Sequence, residues 1–213
     1  MRFEIETKRP VAIDSPDHIM PRGTKLDNSK NMNFNRYLLE MFDDKPSVLD
    51  FGCAGGGMVK TFVDSGCVAI GLEGSDYNLK QQRAEWATIP DNLFTCDIGY
   101  RFILHTGDRN SYKFDVITMW EFVEHISTDR VDRMIKNAKA HLKPNGYIFG
   151  STNDHHSIYQ GVEHHQTIRP FSWWAAKFAE HGFSRKPHDE LRFNKHNAWV
   201  RKGKSKFILK MDV

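Results

Sequence analysis

Cysteine is scarce in this chain. Its three cysteines among 213 residues, Cys53, Cys67 and Cys96, have spacings that fit neither a zinc site nor a disulfide framework. Each sits in or beside an apolar run, so three small buried thiols are expected. Charge of one sign is lacking too. The 30 Lys and Arg against 27 Asp and Glu leave a net charge of +3, too small and too scattered for a nucleic-acid surface. One dense basic run, Arg201-Lys202-Gly203-Lys204-Ser205-Lys206, reads as a solvated turn between two strands. No apolar stretch approaches the roughly 18 residues of a membrane span. Charges also occupy Met1-Arg2-Phe3-Glu4, where a secretory signal would carry its apolar core. The expectation is a cytoplasmic protein with no membrane or nucleic-acid partner. Repeats and low-complexity linkers are absent, and 213 residues suffice for one well-buried domain.

What is present is a regular alternation of short apolar runs and helical patterns. Strands are predicted at Ser47–Phe51, Val68–Leu72, Asn92–Cys96, Phe114–Met119 and Tyr147–Ser151. Helices are predicted over Gly57–Ser65, Leu79–Trp86, Ser127–His141 and Ser172–His181. Another spans Asn31–Phe42, with Phe34, Leu38 and Met41 on one face. This alternation implies right-handed crossovers and an α/β doubly wound, Rossmann-like sheet. Two further strands, Phe183–Lys186 and Lys206–Lys210, have no helix of convincing length between them. They should pair antiparallel and reverse the last strand of an otherwise mostly parallel, seven-stranded sheet.

The strongest local signal is Val48-Leu49-Asp50-Phe51-Gly52-Cys53-Ala54-Gly55-Gly56-Gly57. A buried strand ends in an acid, and a glycine cluster then opens into a helix. Missing Cβ atoms let a ligand approach the backbone, whose N–H groups favour polar or anionic parts. A second acid, Glu73, followed by Gly74, closes the next apolar run, a spacing that suits a carboxylate on ribose hydroxyls.

In order and spacing these pieces, from about Pro46 to Val213, resemble a class I methyltransferase dependent on S-adenosyl-L-methionine, of the small-molecule, sugar or ubiquinone-biosynthesis type. Asp50, Gly52, Cys53, Ala54 and Gly56 fill the first motif, with alanine where a middle glycine is usual; its methyl is expected to fit if φ stays negative. The resemblance implies that Glu73 binds the ribose and that Asp97, in Cys96-Asp97-Ile98, accepts from the adenine amino group while Ile98 packs on the ring. It also implies that Met119, Trp120 and Glu121 lie under the methionine part. Glu124-His125-Ile126 and the Pro144–Gly146 turn before the fifth strand continue the pattern. Bland alternatives stand beside these roles: Asp97 as a turn residue, Glu121 and Glu124 as partners of a helix N-terminus.

The region after the fifth strand is rich in histidine. Asp154, His155 and His156 are followed by Glu163, His164 and His165, then by Arg169, Trp173 and Trp174. Any of the four histidines is a candidate general base for a hydroxyl acceptor, since imidazole titrates near neutral pH. His125, Asp154, Arg169, Trp173 and Trp174 are candidate acceptor contacts. One of the adjacent tryptophans is expected to face the core and the other the acceptor. No metal is expected, because magnesium prefers oxygen ligands. The first 45 residues read as an arm plus helix preceding a domain over 46–213. The polar stretch Asp14–Gly23 is a candidate lid, with His18, Arg22 and Lys25 suited to an acidic or hydroxylated acceptor. The expected reaction is methyl transfer to a small hydroxylated acceptor, a sugar or glycan-type metabolite. N-methylation or a quinone or phenol acceptor are the alternatives. A nicotinamide oxidoreductase is disfavoured because the chain has no Tyr-x-x-x-Lys pair. A non-catalytic binding protein is disfavoured because it would not need Asp50, Glu73 and Asp97.

Overall fold

The computed structural model describes residues 1–187 and 204–212. The chain begins with β1 (Glu4–Thr7), two short helices, α1 (Pro16–Ile19) and α2 (Arg22–Leu26), and α3 (Met32–Met41). Alternation then sets in with β2 (Val48–Phe51), α4 (Gly57–Asp64), β3 (Ala69–Glu73), α5 (Tyr77–Lys80) and β4 (Leu93–Thr95). After β5 (Phe102–His105) come β6 (Phe114–Met119), α6 (Val131–His141) and β7 (Leu142–Asn153). The last elements are β8 (Ile158–Tyr159), β9 (Val162–Glu163), α7 (Phe171–Glu180), β10 (Phe183–Arg185) and β11 (Lys204–Met211).

Seven strands form one sheet in the order β10–β11–β7–β6–β2–β3–β4. The pairs among β7, β6, β2, β3 and β4 are parallel, and β11 runs antiparallel to both its neighbours. This is the doubly wound sheet with a reversed last strand that the sequence implied. Period-2 geometry sends successive strand residues to opposite faces. Leu49, Ile117 and Ile148 therefore join one core with Met134 and Ile135 of α6 and Phe178 of α7. Val48, Val116 and Phe149 join the other with Phe34 and Leu38 of α3 and Phe62 of α4. Both faces are covered, which is why these strands read as unbroken apolar runs. From β2 the chain steps outward to β3 and β4, then returns past β2 to β6. Between β2 and β6 lies the switch point at which open α/β sheets bind ligands.

Several local expectations give way to tertiary structure. The helix predicted over Leu79–Trp86 stops at Lys80, because Gln82 (φ 47°) and Ala84 (φ 51°) take left-handed backbone. A 3₁₀ turn over Ala84–Ala87 then buries Trp86, whose indole N–H donates to the Ala54 carbonyl at 2.8 Å. The Pro144–Gly146 segment is a bulge within β7 rather than a turn before a strand. Its register jumps from Phe114↔Leu142 to Val116↔Tyr147, with Asn145 at φ 63°. Of the basic run, Arg201–Gly203 lie outside the described residues, while Lys204–Lys206 open β11 instead of forming a turn. The β1–β5 antiparallel pair, Glu4↔His105 to Thr7↔Phe102, was not signalled by either segment alone. No helix among the described residues is long and apolar enough to cross a membrane.

Candidate active site

A cavity of about 450 Å³ opens beyond the carboxyl ends of β2, β3 and β6, within the size range of small-molecule and cofactor sites. The turn after β2 supplies Gly52 and Ala54, the tip of β3 Glu73 and Gly74, and the chain after β4 Cys96, Asp97 and Ile98. Trp120, Glu121, Phe122 and His125 follow β6. The fifth wall is the N-terminal arm, through Ala12, Asp14, Asp17 and Thr24.

Glu73 knots the first two walls together. Its Oε2 accepts from the Ala54 N–H at 2.8 Å; its Oε1 accepts from the Ser75 N–H at 3.2 Å and the Thr24 hydroxyl at 3.4 Å. Burial pushes the carboxyl pKa up, against these three donors. Gly52 lies at φ 75°, and a Cβ there would stand 2.6 Å from the Phe122 ring. Only glycine lets the ring and the turn share this space. Ala54 departs from the expectation of a negative φ: it sits at 45°, held by the bonds from its N–H to Glu73 and from Trp86 to its carbonyl.

At the far end Asp97 accepts from the Gly99 N–H at 3.0 Å, a local turn of the kind that short acids favour. Its other oxygen is 3.7 Å from Arg130 and 3.8 Å from Arg9. Burial raises the Asp97 pKa and outweighs the pull of Arg130. Arg130 also grips Asp14 of the arm with two bonds, of 3.2 and 2.6 Å, and holds its carboxyl down to about 2. Further bonds seat the arm: Ala12 N–H to the Gly74 carbonyl at 2.9 Å, Gly55 N–H to Asp27 at 3.0 Å, and the Asn78 amide to Thr24 at 2.8 Å. Asp17 Oδ2 lies 2.7 Å from His125 Nδ1. Burial alone would lower the His125 pKa. Asp17, with Glu124 and Glu121 behind it, holds it up to about 9.

Not every expected residue reaches the cavity. Asp50 lies beneath the turn, where its carboxylate accepts from the Thr118 hydroxyl at 2.6 Å and burial pushes its pKa up to about 7. Cys53 packs against Gly71, Gly56 caps α4 at φ 86°, and Met119 is fully buried in the sheet. Trp174 is also fully buried; Trp173 packs edge-on against it at 5.0 Å, with Arg169 beside it, so neither Trp173 nor Arg169 lines the cavity. The core-facing tryptophan of the pair is Trp174; Trp173 is half-buried against it and does not line this cavity.

The loop histidines likewise lie outside this cavity. Asp154, His155 and His156 are exposed, with His156 tied to Glu163 at 2.7 Å. His164 is buried, its ring nitrogens 3.2 Å from the Val162 carbonyl and 3.0 Å from that of Met20. His165 is buried against His125, its Nδ1 2.5 Å from the His155 carbonyl, and burial lowers its pKa. A tight hairpin fixes this course: Gln160 (φ 49°) and Gly161 (φ 80°) reverse the chain between β8 and β9. None of the four histidines lines the cavity, whereas the neighbouring Gln166 does. The arm's basic residues miss it too. Arg22 covers the Tyr159 ring at 4.6 Å, and His18 faces Asp76 at 3.8 Å. Arm acids, Asp14 and Asp17, arrive in their place, matched to Arg130 and His125. Sequence reasoning missed them because their partners lie more than 100 residues away.

Residues 26–207 match the model of a family described as methyltransferase domain. A ubiquinone biosynthesis O-methyltransferase of Coxiella burnetii is 34% identical over 107 residues, covering 49% of this chain and 42% of that protein. The chain thus spans less than half the length of the curated relatives it matches. Among solved structures, a S-adenosylmethionine-dependent methyltransferase from Clostridium acetobutylicum superposes with a TM-score of 0.60 at 13% identity, over 92% of this chain and 97% of that one. An amino pentose methyltransferase from Micromonospora echinaspora gives 0.59 at 16%, over 84% and 89%. At such identities these two likenesses speak for the fold.

Proposed function

The chain belongs to the methyltransferase domain family, and from that premise we propose that it moves a methyl group from S-adenosyl-L-methionine to a hydroxyl of a small acceptor. The observation that carries this reading is Glu73, a buried carboxylate at a strand tip, fixed by the Ala54 and Ser75 N–H groups beside a glycine turn in a cavity of cofactor size. A carboxylate so placed suits paired ribose hydroxyls. Gly52, Ala54, Gly74, Asp97 and Ile98 would hold the rest of the nucleoside, and Trp120 and Glu121 the methionine end. When bound, the cofactor supplies a methyl carbon already attached to a good leaving group. What remains for this chain is to align the acceptor and exclude water.

The acceptor is proposed to lie among Trp120, Glu121, His125, Ile126 and Gln166, with the arm over it as a lid pinned by Asp14–Arg130 and Asp17–His125. Curated relatives named for O-methylation in ubiquinone biosynthesis support oxygen over nitrogen as the target. A hydroxylated ring, sugar or phenol, fits the mixture of apolar and polar walls. The loop histidines no longer serve as base in this reading, since they do not face the cavity.

Calorimetric titration with S-adenosylhomocysteine, and with NAD for comparison, tests the premise. Micromolar binding of the first alone is expected, and binding of NAD alone would overturn it. A screen of small sugars and catechol-type phenols with the methyl donor then decides the acceptor.

A further inference from the structure

At the nucleoside end of the cavity four charged side chains from three segments meet. Arg9 and Asp14 come from the arm, Asp97 from the chain after β4, and Arg130 from the turn before α6. Asp97 is almost wholly buried. Among the described residues, however, no group donates a hydrogen bond to its Oδ2, and the buried Arg9 Nε has no acceptor. The two guanidiniums stop short of that oxygen, at 3.7 Å for Arg130 and 3.8 Å for Arg9. Their hydrogen bonds go to Asp14 instead, at 3.1 Å from Arg9 and at 3.2 and 2.6 Å from Arg130. Both also lie over the Tyr100 ring, 4.6 and 4.7 Å from its centroid.

We propose that Arg9, Arg130 and Asp14 are positioning residues for the nucleobase of the methyl donor: the two arginines keep the Asp97 carboxylate charged, and Asp14 draws them off it, so that Oδ2 stays open to an exocyclic amino group. This deepens the methyl-transfer reading and rests on it for the identity of the donor. The arm then belongs to the donor site as well as covering the acceptor.

The two alternative arrangements would serve an amino group less well. A carboxylate buried without nearby cations takes up a proton and becomes a donor itself. A carboxylate in direct contact with two guanidiniums spends its lone pairs on them. The observed gap lies between these limits. Attraction acts across 3.7–3.8 Å, while no N–H occupies Oδ2. Burial is the largest influence on Asp97 and raises its pKa; Arg130, the Gly99 N–H and Arg9 pull it down, and Asp14 pushes it up. Its further titratable neighbours are Asp129, 4.0 Å from Arg130, and the Cys96 thiol, which burial pushes up to about 12 and so keeps neutral. A charged Oδ2 accepts from an amino group and repels a carbonyl oxygen. Once protonated, the acid donates to that carbonyl instead.

The test is calorimetric titration of the full chain with S-adenosylhomocysteine and with S-inosylhomocysteine, which carries oxygen in place of the 6-amino group, from pH 5 to 8. The ratio of the two affinities isolates Asp97, because the ligands are alike everywhere else. Wild type should prefer the amino ligand at least about 100-fold at pH 8, a margin within reach of a site built for an N–H. The ratio should fall as acid protonates Asp97. Arg130→Gln should bring that fall on at higher pH, because a cation is lost. Asp14→Asn should delay it to lower pH, because the arginines close on Asp97, and should weaken S-adenosylhomocysteine about 10-fold at pH 8. Arg130→Lys keeps the charge and should keep the wild-type course. Should Arg130→Gln fail to fold, Arg9→Gln takes its place. Opposite displacements of the two variants are the signature, since loosening the arm alone would weaken both ligands equally and leave the ratio unmoved. Displacements in one direction, an unmoved ratio, or equal binding of the two ligands by wild type overturns the positioning roles alone. A wild type that binds neither ligand removes the methyl-transfer reading, and the positioning roles with it.

Discussion

The Ala54 N–H meets the Glu73 carboxylate at 2.8 Å, so the glycine turn after β2 and the tip of β3 are one structural unit. Removing the acid therefore affects both the ligand and the turn. Glu73→Ala should weaken S-adenosylhomocysteine binding about 10- to 100-fold, the range for a lost charge-assisted hydrogen bond. Calorimetry would show it, and an unchanged affinity sinks the ribose assignment.

Ala54 at φ 45° is in backbone that an L-residue adopts at a cost of about 1–2 kcal/mol. Ala54→Gly relieves that strain while adding freedom to the unfolded chain. The net expectation is neutral or stabilising by up to ~1 kcal/mol. Ala54→Val, β-branched, should destabilise by roughly 2 kcal/mol or more. Urea midpoints of the pair decide the matter; a valine variant as stable as wild type contradicts the left-handed turn.

Arg130 joins the arm to the body of the domain through Asp14. Arg130→Ala should leave the global unfolding midpoint nearly unchanged, since a part-exposed pair contributes ~1 kcal/mol at most. Protease cleavage between residues 12 and 27 should nevertheless become several-fold faster. Equal cleavage rates would mean that the remaining bonds of the arm, through Ala12, Asp17, Thr24 and Gly55, secure it without Arg130.

His141 gives the fold an acid sensitivity remote from the site. Its Nε2 accepts the Leu104 N–H at 3.0 Å, its Nδ1 lies 2.9 Å from the Asn137 carbonyl, and burial lowers its pKa to about 4. Above pH 6.5 the ring is neutral folded or unfolded, and contributes no pH dependence. Between 6.5 and 4 the unfolded chain takes up a proton that the folded one refuses, so stability falls with pH, by up to ~3 kcal/mol. Denaturant midpoints from pH 7 to 4 should show this loss, reduced in His141→Gln. Identical slopes in the two proteins rule out His141 as the cause.

His156 is exposed, and among the described residues its ring is bonded to Glu163 at the loop surface. His156→Gln should therefore change turnover less than twofold. A hundredfold fall would restore the loop histidine as a base.

The site was legible in the sequence in proportion to how local its chemistry is. Glycine at 52 and an acid at 73 answer to backbone needs within one βαβ unit, and both line the cavity. Asp50 belongs to the same motif but stops short, because Thr118 on the neighbouring strand claims its carboxylate beneath the turn. The histidine loop misled for a related reason. A run of imidazoles shows that chemistry is available without showing where a two-residue hairpin will send each ring.

By itself the sequence determined the sheet. Runs of β-branched and aromatic residues can be buried only by a sheet covered on both faces, and the missing crossover helix at the end demanded a reversed strand. Tertiary structure alone decided the wall opposite the glycine turn. Asp14 finds Arg130, Asp17 finds His125 and His165 comes to Glu124, because folding closes gaps of between about 40 and 120 residues that no local pattern encodes. Periodicity reports which face of an element is buried; a pairing between side chains on different elements exists only once those elements have packed.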